Sequence, residues 1–393
     1  MLADEYAHTQ SIERLEMRKK LIAVTAAVGA IVIAPSATAA TSVQYVLSAN
    51  DAATISVLAT SGDIISGKIL RGTPDGLGVL KNADGTLTIL SNHEMSLSDK
   101  TVQLAKGSTG TWGSSISKLT YNPTTGTITK LENLITSMKY YNYTNKSWTT
   151  DFSNSAPVGY PTVDAFGGDA FSNGLNRFCS SNLVQAGALA YKDGKKVTGY
   201  SGAVYFTAEE GGDYSRAFAF DTEGNGIQLP SFGLGGFENA LANPSSGKST
   251  VVMLNEDNGA TNSQLYMYLG TKQATGANFA EKAGLTNGQL YTATVKNIRT
   301  DNKFRATYKV GEKADVSFNP LVTDPAYADV QAQALGAGTT FSRIEDGEWD
   351  PKNPNVYYFI TTESNKDPIA TAPNPDESST ARDGGALWRL TYK

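Results

Sequence analysis

The chain is short of the residues on which most catalytic sites are built. Among its 393 residues there are one cysteine and two histidines. A lone thiol, Cys179, cannot close an internal disulfide, so a disulfide scaffold is excluded. Past the N-terminal extension His93 is the one histidine, which excludes a zinc site built on histidines. No G-x-S-x-G elbow accompanies it, so no Ser-His-Asp triad is readable. Charge is sparse as well: Lys and Arg number 33, Asp and Glu 38, together 18% of the chain, for a net charge of −5. No basic run or face is present, which argues against nucleic acid as a partner. A small anionic substrate would need bound cations or one or two placed arginines.

Helical periodicity is also scarce. Short alternating or apolar runs fill the chain, separated by Gly, Asn, Asp and Pro turns. Four short acidic clusters close such runs: Asn92-His93-Glu94, Glu209-Glu210, Glu256-Asp257 and Glu363. Each run has a polar lead-in: Thr73-Pro74-Asp75-Gly76, Asn176-Arg177-Phe178-Cys179, Phe237-Glu238-Asn239 and Arg343-Ile344-Glu345-Asp346-Gly347. From lead-in acid to strand-end acid is 19 residues for Asp75 to Glu94, and 18 for both Glu238 to Glu256 and Glu345 to Glu363. A second strand of matching character follows each time, around Leu119, Phe218, Tyr266 and Trp388. Repeated units of this kind pack about a common axis. The expected fold is all-β: a β-propeller of five to seven blades, six favoured, with short helical connections and long loop insertions. Segments 43–58 and 290–310 offer the additional strands, and short helices are expected at 279–283 and 326–335. The insertions are 131–174 and 363–385.

Residues 1–40 read as an N-terminal extension and a secretory signal peptide, with Met17 as the start. Met17-Arg18-Lys19-Lys20 is basic, 21–33 is apolar, and small residues end the segment at 36–40. The apolar run is shorter than the roughly 18 residues that span a bilayer, and Pro35 interrupts it. Residues 41–393 are then expected to form one propeller domain. It would be secreted, periplasmic or at the cell surface, monomeric, and without a transmembrane segment.

Carboxylates at matching places in such a repeat converge, and like charges at close quarters need a cation or shared protons. A metal site is therefore expected, with Cys179, Glu94, Glu210, Glu238, Glu256, Asp257, Glu345 and Asp346 as candidate ligands. Calcium takes six to eight hard oxygens, which carboxylates and amide carbonyls supply. A ferric ion accepts carboxylate and thiolate together, which would give Cys179 a role.

Six motifs in order resemble the PhoX-type bacterial alkaline phosphatase family, in a divergent PhoX-like branch. They are Pro74-Asp75-Gly76-Leu77-Gly78, Asn92-His93-Glu94, Asn176-Arg177-Phe178-Cys179-Ser180, Ala208-Glu209-Glu210, Phe237-Glu238-Asn239-Ala240 and Arg343-Ile344-Glu345-Asp346-Gly347. The resemblance runs from about residue 72 to the C-terminus. It implies a propeller with a mixed iron–calcium cluster that hydrolyses phosphomonoesters and other phosphoesters. It implies iron ligation by Cys179, ligation by Glu210 and Glu345, and a phosphate contact from Arg343. Calcium or iron ligation would fall to Glu238 and to Glu256 or Asp257. Arg343, Glu345 and Glu210 are accordingly the expected catalytic residues, calcium the expected cofactor with iron beside it, and a small phosphoester the expected substrate. Arg18-Lys19-Lys20 lacks the paired arginines of a twin-arginine signal, which favours calcium loaded outside the cell. Two other readings stand beside this one: a non-catalytic, calcium-stabilised surface or binding propeller, and a lactonase-like or esterase-like propeller that needs no thiolate. Plainer roles stand too: His93 as a hydrogen-bonded structural residue, Cys179 as a buried small hydrophobe, and Arg343 as a partner of Glu345 or Asp350.

Overall fold

The computed structural model describes residues 10–15, 46, 48, 53–95, 100–101, 111–150, 175–259, 262–323, 329–362 and 385–393. Glu363, the signal-like segment 17–40, and the bulk of both expected insertions (151–174 and 363–384) lie outside them.

The described residues are mostly antiparallel strands, in a four-bladed, propeller-like arrangement. Blade 1 comprises Pro74–Lys81, Leu87–His93, Ser115–Asn122 and Thr127–Asn133. Blade 2 comprises Phe178–Val184, Val204–Glu209, Ala217–Asp221 and Asn225–Gln228, with Ser137–Asn142 joining its outer edge in parallel. Blade 3 runs through Phe237–Ala242, Ser249–Glu256, Ser263–Thr271, Gln289–Val295 and Lys313–Leu321. Blade 4 has Ile344–Trp349, Val356–Thr361 and Ala386–Thr391. The first strands of blades 1 to 4 pack on one another in that order and line the axis. Strand Gln10–Leu15, from the segment expected to precede the secreted chain, pairs with both Ala386–Thr391 and Lys313–Leu321 and so joins the outer edges of blades 4 and 3.

Apolar burial holds the blades together pairwise. Leu90 and Ile116 of blade 1 pack on Phe178, Tyr205 and Phe218 of blade 2. Phe206 and Ala219 meet Phe237, Leu254 and Tyr266 between blades 2 and 3. Met253, Leu265 and Met267 meet Trp349, Phe359 and Trp388 between blades 3 and 4. Strands caught between two such layers are buried on both faces, which is why Val204–Glu209 and Ala217–Asp221 are buried at every position. The outer face of blade 1, with Leu119 and Leu131, is covered instead by Leu70, Ile65 and Ala59.

Four blades replace the expected five to seven, and the additional strands explain the difference. The described part of 43–58 carries no strand. Within 290–310, Gln289–Val295 extends blade 3 rather than founding another, and Asp301–Thr307 is helical. The Thr300 side chain caps that helix by accepting from the Lys303 N–H, a local preference that outweighs the strand-like residues nearby. Helices Phe279–Lys282 and Val330–Ala337 lie where short helices are expected. No helix among the described residues is long and apolar enough to cross a membrane.

One four-fold device positions everything at the axial mouth. The residue before each inner strand accepts a backbone hydrogen bond from the residue that follows the second strand. The pairs are Glu94 N to Thr73 O, Glu210 N to Arg177 O, Asp257 N to Gly236 O and Thr362 N to Arg343 O, all 2.9–3.0 Å. Three of the four acceptors, Thr73, Arg177 and Arg343, have positive φ (47°, 40° and 55°), and the chain turns sharply there. The next residue, Pro74, Phe178, Phe237 or Ile344, pairs with His93, Glu209, Glu256 or Thr361. An irregularity of register follows in every blade, and the first residue placed in it is Asp75, Cys179, Glu238 or Glu345. A bulge re-aims side chains in this way where pairing alone would send them to either face.

Below this rim each second strand buries a polar group. His93 bonds Gly72 O and Ser117 Oγ, and Thr361 accepts from the Trp388 indole. Glu209 accepts from the Arg216 N–H, Nε and Nη2 at 3.0, 2.9 and 2.6 Å, and from the Asn176 N–H at 3.0 Å. Both side chains of that pair are at most 1% exposed. Glu209→Ala would strand a buried guanidinium, so urea unfolding should show a loss of about 3–5 kcal/mol. A loss below about 1 kcal/mol, the level of an exposed pair, would show that this bridge does not hold the blade-2 rim.

Candidate metal centre

The four bulge residues point to one place, and Cys179 is its middle. Its Sγ lies 3.3 Å from Asp75 Oδ2 and 3.2 Å from Glu238 Oε1, so a single S–H cannot serve both acceptors. Two ligand triads share this sulfur: Asp75, Glu94 and Cys179, and Cys179, Glu210 and Glu238. Within each triad the donor atoms lie within 4.8 Å of one another, close enough for one cation to touch all three. Glu345, from blade 4, is near enough to raise the proton affinity of both Glu210 and Glu238.

Electrostatics reports the same crowding. Burial first, then Glu210, Glu345 and Asp75, push the Glu238 carboxyl up to about 8, against the pull of its bond to Cys179. Burial pushes Glu210 up to about 7, despite Arg177, with Asp257, Glu94 and Glu345 adding to the rise. Asp75 and Glu345 are raised as well, burial leading in each case. The Cys179 thiol is driven far above its usual range by burial and by Glu238, Glu210 and Asp75. A cation would reverse all of these shifts at once, because it favours every deprotonated form that the carboxylates disfavour in one another. The donor set therefore fits metal: hard oxygens in number, with one thiolate between the two triads.

Two arginines brace the rim at equivalent positions. Arg177 donates from Nη2 to Glu94 Oε1 at 2.5 Å and to Glu210 Oε2 at 2.9 Å, tying blade 1 to blade 2. Arg343 donates to Asp257 Oδ2 at 2.6 Å and forms an ion pair with Glu345 Oε1 at 3.1 Å, tying blade 3 to blade 4. The Arg343 side chain is 42% exposed, so it faces the open mouth while Asp257 beneath it is 4% exposed. Asp350 is not its partner here; that carboxylate caps a turn at Lys352 and Asn353.

Of the expected ligands, Cys179, Glu94, Glu210 and Glu238 fall in the two triads. Glu345 and Asp257 lie at the same rim, held by Arg343. Asp346 sits just outside it, accepting from Asn239 Nδ2 at 2.7 Å and from the Gly347 N–H. Glu256 is turned away. Its Oε2 accepts from the Tyr266 hydroxyl and the Gln264 N–H within blade 3, at the tier of His93 and Glu209. The repeat thus aligns Asp257, not Glu256, with Glu94 and Glu210, and aligns Thr362, not Glu363, in blade 4. His93 takes the structural role, its ring held by Gly72 and Ser117 and its pKa lowered to about 4, chiefly by burial. Arg177 has a place at the site that the motif reading did not assign. The available signal was its position two residues before the candidate ligand Cys179, as Arg343 stands two before Glu345.

No family model matches the chain, and no curated protein matches it. The fold is similar to the solved structure of Pseudomonas fluorescens PhoX in complex with vanadate, a transition-state analogue. That match has 13% identity and a TM-score of 0.44, over 85% of this chain and 72% of that one. It is similar also to the α-L-arabinofuranosidase Arb93A from Fusarium graminearum with an iminosugar inhibitor. There the identity is 8% and the TM-score 0.21, over 81% of this chain and 93% of that one. At these values neither likeness carries a function to this chain.

The raised carboxyls set a pH dependence for the metal-free protein. A carboxyl whose folded pKa exceeds its ordinary value of about 4.5 binds more protons folded than unfolded. Stability is then full below about pH 4.5 and is lost as pH rises through about 7 for Glu210 and about 8 for Glu238. Melting of chelator-treated protein should show Tm falling from pH 5 to pH 8.5, and saturating calcium should flatten that fall. A metal-free Tm that stays level or rises across this window would show that the cluster is not under charge strain.

Proposed function

We propose that the protein is an exported, metal-dependent phosphoester hydrolase of the PhoX-like kind, acting at the rim around Cys179. The observation that carries this reading is the sharing of one thiol by two carboxylate triads. A structural calcium site needs oxygens only, and so does a lactonase-like site with a single calcium. A sulfur placed between the triads suits a centre that takes a softer cation beside calcium. The order of motifs along the chain supports the same reading, as does the signal-like segment 17–40 for export.

Asp75, Glu94, Glu210, Glu238 and Cys179 would hold the cations, with Glu345 and Asp257 at the edge. When bound, the cations supply positive charge for the phosphoryl oxygens and a water of lowered pKa. Arg343 presents its guanidinium at the open side of the mouth and meets the substrate's non-bridging oxygens. Asp257 and Glu345 hold that guanidinium in place, so its orientation is fixed before substrate arrives. Glu345, hydrogen-bonded at 2.9 Å by the Thr362 hydroxyl, stands beside it to orient the attacking water. Glu210, held by Arg177 on the far side, keeps its carboxylate at the rim, fixed in place for the cation it would ligate. Phosphomonoesters suit a mouth with an arginine at its open side above an acidic floor; the absence of a basic patch keeps polyanions out.

Elemental analysis and p-nitrophenyl phosphate turnover test this together. The wild-type protein should carry calcium with or without iron and turn over. Cys179→Ala and Glu238→Gln should lose bound metal and activity. Arg343→Ala should keep its metal and lose about 10²-fold or more in kcat/KM. Glu256→Gln should keep its metal, since that carboxyl faces Tyr266. Stoichiometric calcium with no turnover of any phosphoester would move the protein to the non-catalytic binding class.

A further inference from the structure

In blades 1 and 2 the rim turn is held from beneath by that blade's own second strand. The His93 ring bonds Gly72 O at 2.8 Å, and Glu209 accepts from the Asn176 N–H at 3.0 Å. Gly72 and Asn176 stand just before the turn residues Thr73 and Arg177. In blade 3 the equivalent Gly235 N–H donates to Ser215 O at 3.0 Å. Blade 4 has Ser342 at this place, just before Arg343. Its own tier residue, Thr361, is engaged elsewhere, accepting from the Trp388 indole and the Ala386 N–H, both at 3.1 Å. The carboxylate of Asp301 does the holding instead. Its Oδ2 accepts from the Ser342 N–H at 3.2 Å and its Oδ1 from the Ser342 hydroxyl at 2.9 Å.

Asp301 comes from outside blade 4. It opens the helix Asp301–Thr307, in the connection 296–312 between the last two strands of blade 3. The corresponding turns of blades 1 and 2, 123–126 and 222–224, are short and carry no helix. The longer connection is stitched to the lead-in of blade 4. Thr339 Oγ1 donates to Ile298 O at 2.6 Å, and the Thr340 N–H donates to Arg299 O at 2.9 Å. The carboxylate therefore meets Ser342 in a fixed register. Asp301 and Ser342 are 1% and 0% exposed, so water does not compete for either bond. Burial pushes the Asp301 carboxyl up to about 6, against the pull of the Ser342 bonds and of Arg305. Above that pH both oxygens are charge-assisted acceptors.

What depends on this grip is the next residue. Arg343 has φ 55°, a backbone conformation that a side chain other than glycine keeps only where its surroundings impose it. From that turn its guanidinium reaches Asp257, Glu345 and the open mouth. We propose that Asp301 is the positioning residue for Arg343: by gripping Ser342 through both oxygens, it fixes the turn that presents the guanidinium to substrate. The kinetic consequence of this grip rests on the hydrolase reading; its backbone consequence does not.

The test compares the full, calcium-loaded chain with Asp301→Asn, which keeps the volume and removes one acceptor, and with Ser342→Ala, which removes one donor. Each is made alone and in an Arg343→Ala background. Both variants should keep their metal. Asp301→Asn should lower kcat/KM for p-nitrophenyl phosphate about tenfold, and Ser342→Ala by less. In the Arg343→Ala background neither should cost further activity, because the group they position is gone. An equal fold-loss in both backgrounds would overturn the proposal, since Asp301 would then act on the fold at large. Hydrogen exchange reads the grip without turnover. The Thr362 amide, bonded to Arg343 O at 3.0 Å, should exchange about tenfold faster in Asp301→Asn, with the Glu94 and Glu210 amides unchanged. Unchanged Thr362 exchange would overturn the proposal whether or not the protein turns over. Faster Thr362 exchange in a protein that cleaves no phosphoester would uphold the grip on Arg343 and remove the hydrolase reading.

Discussion

Repulsion among carboxylates at the axial mouth is the constraint from which the rest of this structure follows. Asp75, Glu94, Glu210 and Glu238 crowd about one thiol with Asp257 and Glu345 at the same rim, and among the described residues Arg177 and Arg343 are the cations paired with them. Such a cluster is unfavourable unless protons or cations share it. A fold that keeps it must hold every member rigidly, or the side chains would swing apart into water. The hydrogen-bonded rim and the bulges supply that rigidity. The buried tier of His93, Glu209, Glu256 and Thr361 anchors each second strand just below the rim residue that follows it.

Rigidity comes from redundancy across blades. Arg177 joins the strand-end acids of blades 1 and 2, and Arg343 joins an acid of blade 3 to one of blade 4. Each arginine is thus a cross-brace and a neutralising charge at once, and the two occupy equivalent places in alternate blades. Their difference lies in surroundings. Arg177 sits between two members of the ligand triads, whereas Arg343 sits over a buried aspartate at the open side. The first is suited to keeping ligands in position and the second to meeting what arrives from solvent.

The all-β propeller character, the four acidic clusters and the convergence of Cys179 with Glu94, Glu210 and Glu238 were legible in the sequence, because strand-end acids and turn residues are local signals. The blade count was not, because strand-like residues at 43–58 and 290–310 suggested further blades. Nor was the phase of the repeat. Glu256 and Asp257 are adjacent and equally acidic, but side chains alternate faces along a strand, so a slip of one residue exchanges rim for core. The register irregularity in each inner strand shifts that count again, and no composition rule reveals it. Spacing from Glu345 likewise pointed to Glu363, whereas the backbone bond to Arg343 places Thr362 at the strand end.

The central claim is that Cys179 lies inside a cation site rather than beside one. Cobalt(II) loaded into the metal-free protein tests it, since a thiolate bound to cobalt gives an intense charge-transfer absorption that carboxylates do not. One such band is expected in the wild type, saturating with the bound metal and absent from Cys179→Ser. Cobalt bound stoichiometrically with no thiolate band would show that the sulfur stays protonated among the carboxylates, and that the two triads do not share it as a ligand.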